Sequence, residues 1–340
     1  MSEIAIVGAG AWGTALSIIL GRTGAHRVRL WVHEQDVCNT IASQRVNEKF
    51  LPGQHIPASV TACNDLVETL DGAAIVVSVM PSQHCRLLFE RMKSLLRAET
   101  MIVSATKGLE ENSLLCMTEV ITQVIMRDGM QPPRIGALSG PSFALEAARG
   151  DPTAITIASQ DTELARTVQQ EFSNASFRVY TNEDPIGVEL GGALKNTIAI
   201  AAGVGAGLGL GHNSIAALIT RGLAEMTRLV LACGGKAETM AGLAGLGDLV
   251  LTCTGGLSRN RSVGVELGRG RKLPEILAGM HGMVAEGIFT TTAAVGLAHA
   301  RGIEMPITEQ MHAILHEGKS PREAISDLMT RRGRSETLSA

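Results

Sequence analysis

The chain opens with an apolar run, Ile4-Ala5-Ile6-Val7, that leads directly into Gly8-Ala9-Gly10-Ala11-Trp12-Gly13, and a helical pattern follows over 12–24. Strand, GxGxxG turn and helix in immediate succession leave few folds open. Gly8 permits the tight turn, Gly10 lets a pyrophosphate approach the backbone, and Gly13 lets the helix pack close on the strand. The helix N-terminus then offers free N–H groups and a partial positive charge to the phosphates. Glycine makes up 38 of the 340 residues, above the usual ~7%, so the pattern alone carries little weight here. The flanking strand and helix are what separate a dinucleotide cradle from a plain glycine-containing turn. About twenty residues on, NAD sites place an acid that holds the ribose 2′-hydroxyl. That region reads Leu30-Trp31-Val32-His33-Glu34-Gln35. Glu34 disfavours a 2′-phosphate if it points inward, whereas His33 or a nearby arginine favours one, so the choice between NAD and NADP stays open.

Strand patterns recur at 28–32, 73–80, 101–104, 134–139, 153–158 and 177–180, with helical patterns at 113–127 and 162–174. Such alternation predicts βαβ units and a mainly parallel sheet. After Pro185 the strand signals fade, and helical patterns follow at 186–202, 214–233, 273–278, 290–300, 308–316 and 321–330. We therefore expect an α/β dinucleotide-binding domain over 1–185 and an all-α substrate-binding domain over 186–335. With only nine aromatic residues in a chain that is 45% hydrophobic, the core falls to Ala, Val, Ile, Leu and Met.

A net charge of −3 provides no broad cationic field for nucleic acid or an anionic membrane. Arg331, Arg332 and Arg334 read as a solvated tail. Six cysteines are scattered without a CxxC pair, which argues against a disulfide framework or a zinc knuckle and fits a reducing cytosol. Of two long uncharged stretches, 4–21 lacks a cationic leader and belongs to the cradle, and 196–220 is broken by glycines and His212-Asn213-Ser214. The protein is expected in the cytoplasm, with no integral membrane segment.

The helical stretch 186–200 is apolar almost all round and carries only two charges, Glu189 and Lys195. Gly191 and Gly192 lie one turn before Lys195 on its own face, where they clear a notch beside the amine. A lysine held against apolar surface has its charged form disfavoured, which moves it toward the range useful for proton transfer. The competing reading is a surface lysine, but the helix has no polar face for it to belong to. Farther on, 242–249 (GLAGLGDL) precedes 252–261 (TCTGGLSRNR). An arginine flanked by serine and asparagine in a glycine-rich turn can grip a phosphate through fork, hydroxyl, amide and backbone N–H groups. The alternating series Gly203, Gly205, Gly207, Gly209 and Gly211 gives no GxGxxG register and reads as a helix-ending linker. His312 and His316 stand at i, i+4, but no third ligand is spaced nearby, so no metal is expected. The apolar face of 215–230 reads as core or a subunit interface.

Taken together, GAGAWGTAL, ATKGLE (105–110), SGPSFALE (139–146), GGALKN, ALITRGLAEM (217–226), AGLGDLVLTCT and LSRNR resemble bacterial NAD(P)-dependent glycerol-3-phosphate dehydrogenase, in order and over nearly the whole chain. The resemblance implies a Rossmann-type N-terminal domain joined to a helical domain, with the active site in the cleft between them. It implies reversible hydride transfer between NAD(P)H and C2 of dihydroxyacetone phosphate, supplying glycerol 3-phosphate for phospholipid synthesis, by a homodimer. It makes Lys195 the general acid/base. Lys107, Gly140, Ser142, Asp248, Ser258, Arg259 and Asn260 complete the substrate site. Gly8, Gly10, Ala11, Trp12, Gly13, His33, Lys107, Ala144, Arg259, Val284 and Glu286 become cofactor contacts. Lys107, Ser142, Val284 and Glu286 come from the resemblance alone. Three positions depart from the family pattern: Ala11 stands where serine is usual, Glu34 where some members have a basic residue, and Ser214-Ile215 where Ala-Arg or Ala-Lys is usual.

Two rivals make different demands. A β-hydroxyacid dehydrogenase also joins a Rossmann domain to a lysine-bearing helix, but needs a carboxylate site in place of a phosphate site. A non-catalytic NAD(P) sensor leaves Lys195, Asp248 and Arg259 without a purpose.

Overall fold

The computed structural model describes residues 2–126, 129, 131–280, 284–333 and 335–336. Expectations that touch Arg127 and Arg334 lie outside them. The chain divides into two units, Met1–Lys107 with Leu115–Glu189, and Gly108–Leu114 with Leu190–Ala340. The short 108–114 segment, which groups with the second unit, leaves no mark in the sequence pattern.

The first unit is built on β1 (Ser2–Val7), β2 (His26–Trp31), β5 (Val60–Cys63), β6 (Ile75–Ser78), β7 (Met101–Ser104), β8 (Arg134–Ser139), β9 (Thr153–Ala158) and β10 (Phe177–Asn182), with a separate hairpin of β3 (Val46–Asn47) and β4 (Leu51–His55). The sheet order is β10-β9-β8-β7-β6-β1-β2-β5, so the order reverses between β1 and β6. All pairings are parallel except β8 with β9. The mainly parallel sheet expected from the alternation is therefore present, with its last two strands running the other way. Ile4, Ala5, Ile6 and Val7 are fully buried because helices cover both faces. That is why β1 reads as an unbroken apolar run rather than an alternating one. The short β3 and β4 escape a pattern search, since 46–55 is rich in polar and turn residues, and β5 is only four residues long.

In the second unit no strand occurs among the described residues. Its longest helices are Pro185–Gly207, whose first five residues belong to the first unit, and His212–Ala232. The first corrects part of the reading of the glycine series: Gly203 and Gly205 lie inside the helix, Gly207 is its last residue, and only Gly209 and Gly211 belong to the link that follows. A Cβ on Gly203 would meet the Arg261 carbonyl at 2.1 Å and one on Gly264 the Ile200 carbonyl at 2.0 Å. Gly207 and Gly268 repeat the arrangement one turn on, at 2.3 and 2.4 Å from Val265 and Val204 carbonyls. Two glycine pairs at i, i+4 thus bring helices Pro185–Gly207 and Arg259–Gly268 together backbone to backbone. Elsewhere the buried Glu225 accepts from the Ile307 and Thr308 amides at 2.6 and 3.3 Å, capping helix Pro306–His316. Burial pushes this carboxyl up to about 7. No single helix among the described residues is long and apolar enough to cross a membrane.

Candidate active site

The glycine turn follows β1 at the carboxyl end of the sheet, beside the point where strand order reverses, which is where open α/β sheets bind ligands. Gly8 has φ of +122°, and a Cβ there would lie 1.9 Å from the Val79 carbonyl. A Cβ on Gly13 would lie 1.9 Å from the Gly8 carbonyl, so only glycine lets this helix sit on its strand. Gly10 differs: nothing lies within 4 Å of its missing Cβ. It is the extended N-cap of helix Ala11–Arg22, whose first turn contains no acid and whose cap makes no side-chain bond. A backbone cradle with open space at its middle glycine fits a pyrophosphate. Trp12 is partly buried, its ring 6.4 Å from that of Phe177, and the exposed His33 ring lies 5.6 Å from Trp31.

Lys107, Gly140 and Ser142 come together in the same unit. The Gly140 carbonyl accepts from Lys107 Nζ at 3.1 Å and from Ser142 Oγ at 3.0 Å. Gly140 itself has φ of +143°, a conformation that favours glycine. Ala144 opens the helix Ala144–Arg149 just beyond.

In the second unit Lys195 is buried as expected, but it does not stand alone against apolar surface. Its Nζ donates to Asp248 Oδ1 and to Thr252 Oγ1, both at 2.6 Å, and the paired side chains are 8% and 1% exposed. Asp248 is thereby the direct ion-pair partner of the amine. The Thr252 hydroxyl donates in turn to the Asp248 carbonyl at 2.6 Å. Sequence reasoning missed Thr252, although it lies four residues after Asp248 and so on the same helical face. The glycine notch is also corrected. A Cβ on Gly191 would meet the Ala244 carbonyl at 2.8 Å, so backbone fills that space. Its effect is to bring the turn Leu243–Gly247, and with it Asp248, up to the lysine helix. Burial pushes the neighbouring Cys253 thiol up to about 12, leaving it protonated.

The expected anion-binding turn is the start of a helix. Ser258 caps Arg259–Gly268, its hydroxyl accepting from the Arg261 amide at 3.2 Å. Glycines at 255 and 256 read as a loop, while the serine that precedes the helix is an N-cap residue. Arg259 is then a first-turn residue, beside backbone N–H groups that favour anions. Desolvation lowers its pKa from the ordinary value, with Glu286 acting in the opposite direction. Asn260 is buried; it donates to Asn196 Oδ1 at 2.9 Å and accepts from the Gly287 amide at 3.0 Å. It therefore ties the lysine helix, through the neighbour of Lys195, to the start of helix Glu286–Ala300. Asn196 is a second residue that spacing did not reveal. Val284 lies two residues before Glu286, which opens helix Glu286–Ala300.

Two family models cover most of the sequence, NAD-dependent glycerol-3-phosphate dehydrogenase N-terminus over residues 3–165 and the corresponding C-terminus over 184–326. The chain belongs to the NAD-dependent glycerol-3-phosphate dehydrogenase family. It is 66% identical over 331 residues to the glycerol-3-phosphate dehydrogenase [NAD(P)+] of Koribacter versatilis, spanning 97% of this chain and 98% of that one. The Acidobacterium capsulatum enzyme of the same name is 55% identical over 339 residues, 99% of this chain and all of its own. Among solved structures, Coxiella burnetii glycerol-3-phosphate dehydrogenase superposes with a TM-score of 0.92 at 44% identity, covering 97% of this chain and 99% of that one. D-mandelate dehydrogenase, at 11% identity and a TM-score of 0.58, shares the fold.

Proposed function

We propose that this enzyme interconverts dihydroxyacetone phosphate and sn-glycerol 3-phosphate with NAD(P)H, and that Lys195 is its general acid/base. The observation that carries the reading is the buried Lys195 side chain, whose Nζ donates to Asp248 and Thr252 at 2.6 Å each. The bound nicotinamide supplies hydride to C2 in the reducing direction and accepts it in the other. Lys195 then places a proton on the C2 oxygen as negative charge develops there, a contribution on the order of 10²–10⁴-fold. Asp248 keeps the amine charged and fixes its direction. Arg259 and Ser258, at a helix N-terminus, take the substrate phosphate, so that its binding energy orients C2 for reaction. Asn260 holds this helix start in register with the lysine helix. Lys107, Gly140 and Ser142 contribute to substrate binding from the first unit, and Lys107 also meets the cofactor together with Gly8, Gly10, Ala11, Trp12, Gly13, His33 and Ala144. Arg259, Val284 and Glu286 are assigned to the cofactor from the second unit. Residues 1–185 make up the dinucleotide-binding domain and 186–335 the substrate-binding domain in this assignment.

The test is loss of reduced-nicotinamide absorbance on adding dihydroxyacetone phosphate. Turnover of a hydroxyacid instead would favour a β-hydroxyacid dehydrogenase, and silence across both would favour a sensor. The assignment extends to a cytoplasmic homodimer that supplies glycerol 3-phosphate for phospholipid synthesis. Six unbridged cysteines support a reducing compartment, and the half-exposed Ile215, Leu218 and Ile219 support self-association, which sedimentation would measure.

A further inference from the structure

The β3–β4 hairpin carries no assigned role, yet it links the two ends of the dinucleotide cradle. Asn47, fully buried, donates from Nδ2 to the Ala9 carbonyl and to Thr14 Oγ1, both at 2.8 Å. Its Oδ1 accepts from the Phe50 amide at 3.2 Å, which shapes the hairpin turn. One side chain therefore locks the turn 48–50 against the middle of the GxGxxG loop. From that turn Lys49 Nζ reaches Glu34 Oε1 at 3.2 Å and lies 5.1 Å from the Phe50 ring centre. Glu34 follows β2, where an acid takes the 2′-hydroxyl of the adenine ribose. It is the N-cap residue of helix Gln35–Gln44, but its side chain does not cap that helix.

We propose that Lys49 reads the 2′ position of the adenine ribose, and that its ion pair with Glu34 is the device by which this chain accepts both NAD and NADP. The proposal rests on the dinucleotide site assigned above and adds its specificity. A bare Glu34 would repel a 2′-phosphate by charge. Lys49 cancels that charge, and the pair is exposed, with side chains 45% and 33% accessible, so it is held only weakly. A phosphate dianion is a stronger partner for an ammonium than a single carboxylate is. With NADP, Lys49 moves from Glu34 to the phosphate. With NAD, Lys49 stays on Glu34, whose other oxygen accepts the 2′-hydroxyl. Asn47 fixes the backbone from which this movement is made, and the four-carbon lysine stem supplies the reach.

Calorimetric titration of the cofactor-free enzyme with adenosine 2′,5′-bisphosphate and with 5′-ADP separates this role from catalysis. In Lys49→Ala, affinity for the bisphosphate is expected to fall roughly tenfold or more, with 5′-ADP affinity within about twofold of wild type. In Glu34→Gln, bisphosphate affinity is expected to rise by about tenfold. Equal losses for both ligands in Lys49→Ala, or no loss for either, would overturn the proposal, as would a wild-type enzyme that binds neither. Because no reaction occurs in this measurement, failure of the substrate assignment would appear only in turnover and would leave the binding result standing.

Discussion

Removing the Lys195 amine withdraws the proposed proton donor and also leaves the buried Asp248 without its ion-pair partner. Lys195→Ala is expected to lower kcat by about 10²–10⁴-fold with little change in KM, read in steady-state kinetics. Asp248→Asn leaves the ammonium buried without its carboxylate, and breaking one side of such a pair costs about 3–5 kcal/mol. Thermal or denaturant unfolding should register that loss together with the drop in kcat. Arg259→Ala should instead raise KM for dihydroxyacetone phosphate, with turnover of unphosphorylated dihydroxyacetone little affected. Lys195 was legible in the sequence because a lone cation in an apolar helix is expensive. Its partners were not, since Asp248 and Thr252 are more than fifty residues away and only the fold brings them within 2.6 Å.

Two buried acids make stability depend on pH. Glu189 accepts from the Thr118 amide at 2.9 Å and from the Thr118 hydroxyl, at the start of helix Met117–Met126. Burial pushes it, like Glu225, up to about 7. A carboxyl whose folded pKa lies above its unfolded value binds its proton more tightly in the folded state. Its stabilising contribution is complete below about 4.5 and is lost as pH rises through about 7. Glu189→Gln and Glu225→Gln should each flatten that decline when unfolding is followed across the window, by up to about 3 kcal/mol per group.

Among the elements, the crossing of Pro185–Gly207 with Arg259–Gly268 sets how the helix start at Ser258 and Arg259 stands against the helix that carries Lys195. Gly264→Ala forces a Cβ into the Ile200 carbonyl and should cost roughly 1–3 kcal/mol in denaturant unfolding. Gly211→Ala serves as the control, because nothing lies within 4 Å and the backbone there is ordinary extended chain; its effect should be within about 1 kcal/mol of wild type. The contrast explains what was readable at this scale. Strands covered on both faces announce themselves as apolar runs, and so the sheet could be inferred. Glycines that serve a helix crossing look in sequence like a linker, because their partners at 264 and 268 lie some sixty residues away. The hairpin of β3 and β4 was missed for a related reason: Asn47 is a polar residue next to a turn, and its partners Ala9 and Thr14 lie more than thirty residues away.

At the scale of the whole molecule, fold and family were legible because the motifs recur in order along nearly the entire chain. The division into units was not fully so, since 108–114 groups with the second unit through contacts that no local pattern records. The proposed reaction calls on a dinucleotide cradle whose middle glycine is open, a lysine paired with an aspartate and an arginine at a helix start. Its most direct test is the rate at which reduced-nicotinamide absorbance falls on addition of dihydroxyacetone phosphate, measured side by side for wild type and Lys195→Ala. The proposed mechanism requires rapid loss with wild type and a rate reduced by about 10²-fold or more in the variant, with reduced-nicotinamide binding retained. A variant that keeps near-wild-type turnover, or a wild-type enzyme indifferent to this substrate, would contradict it.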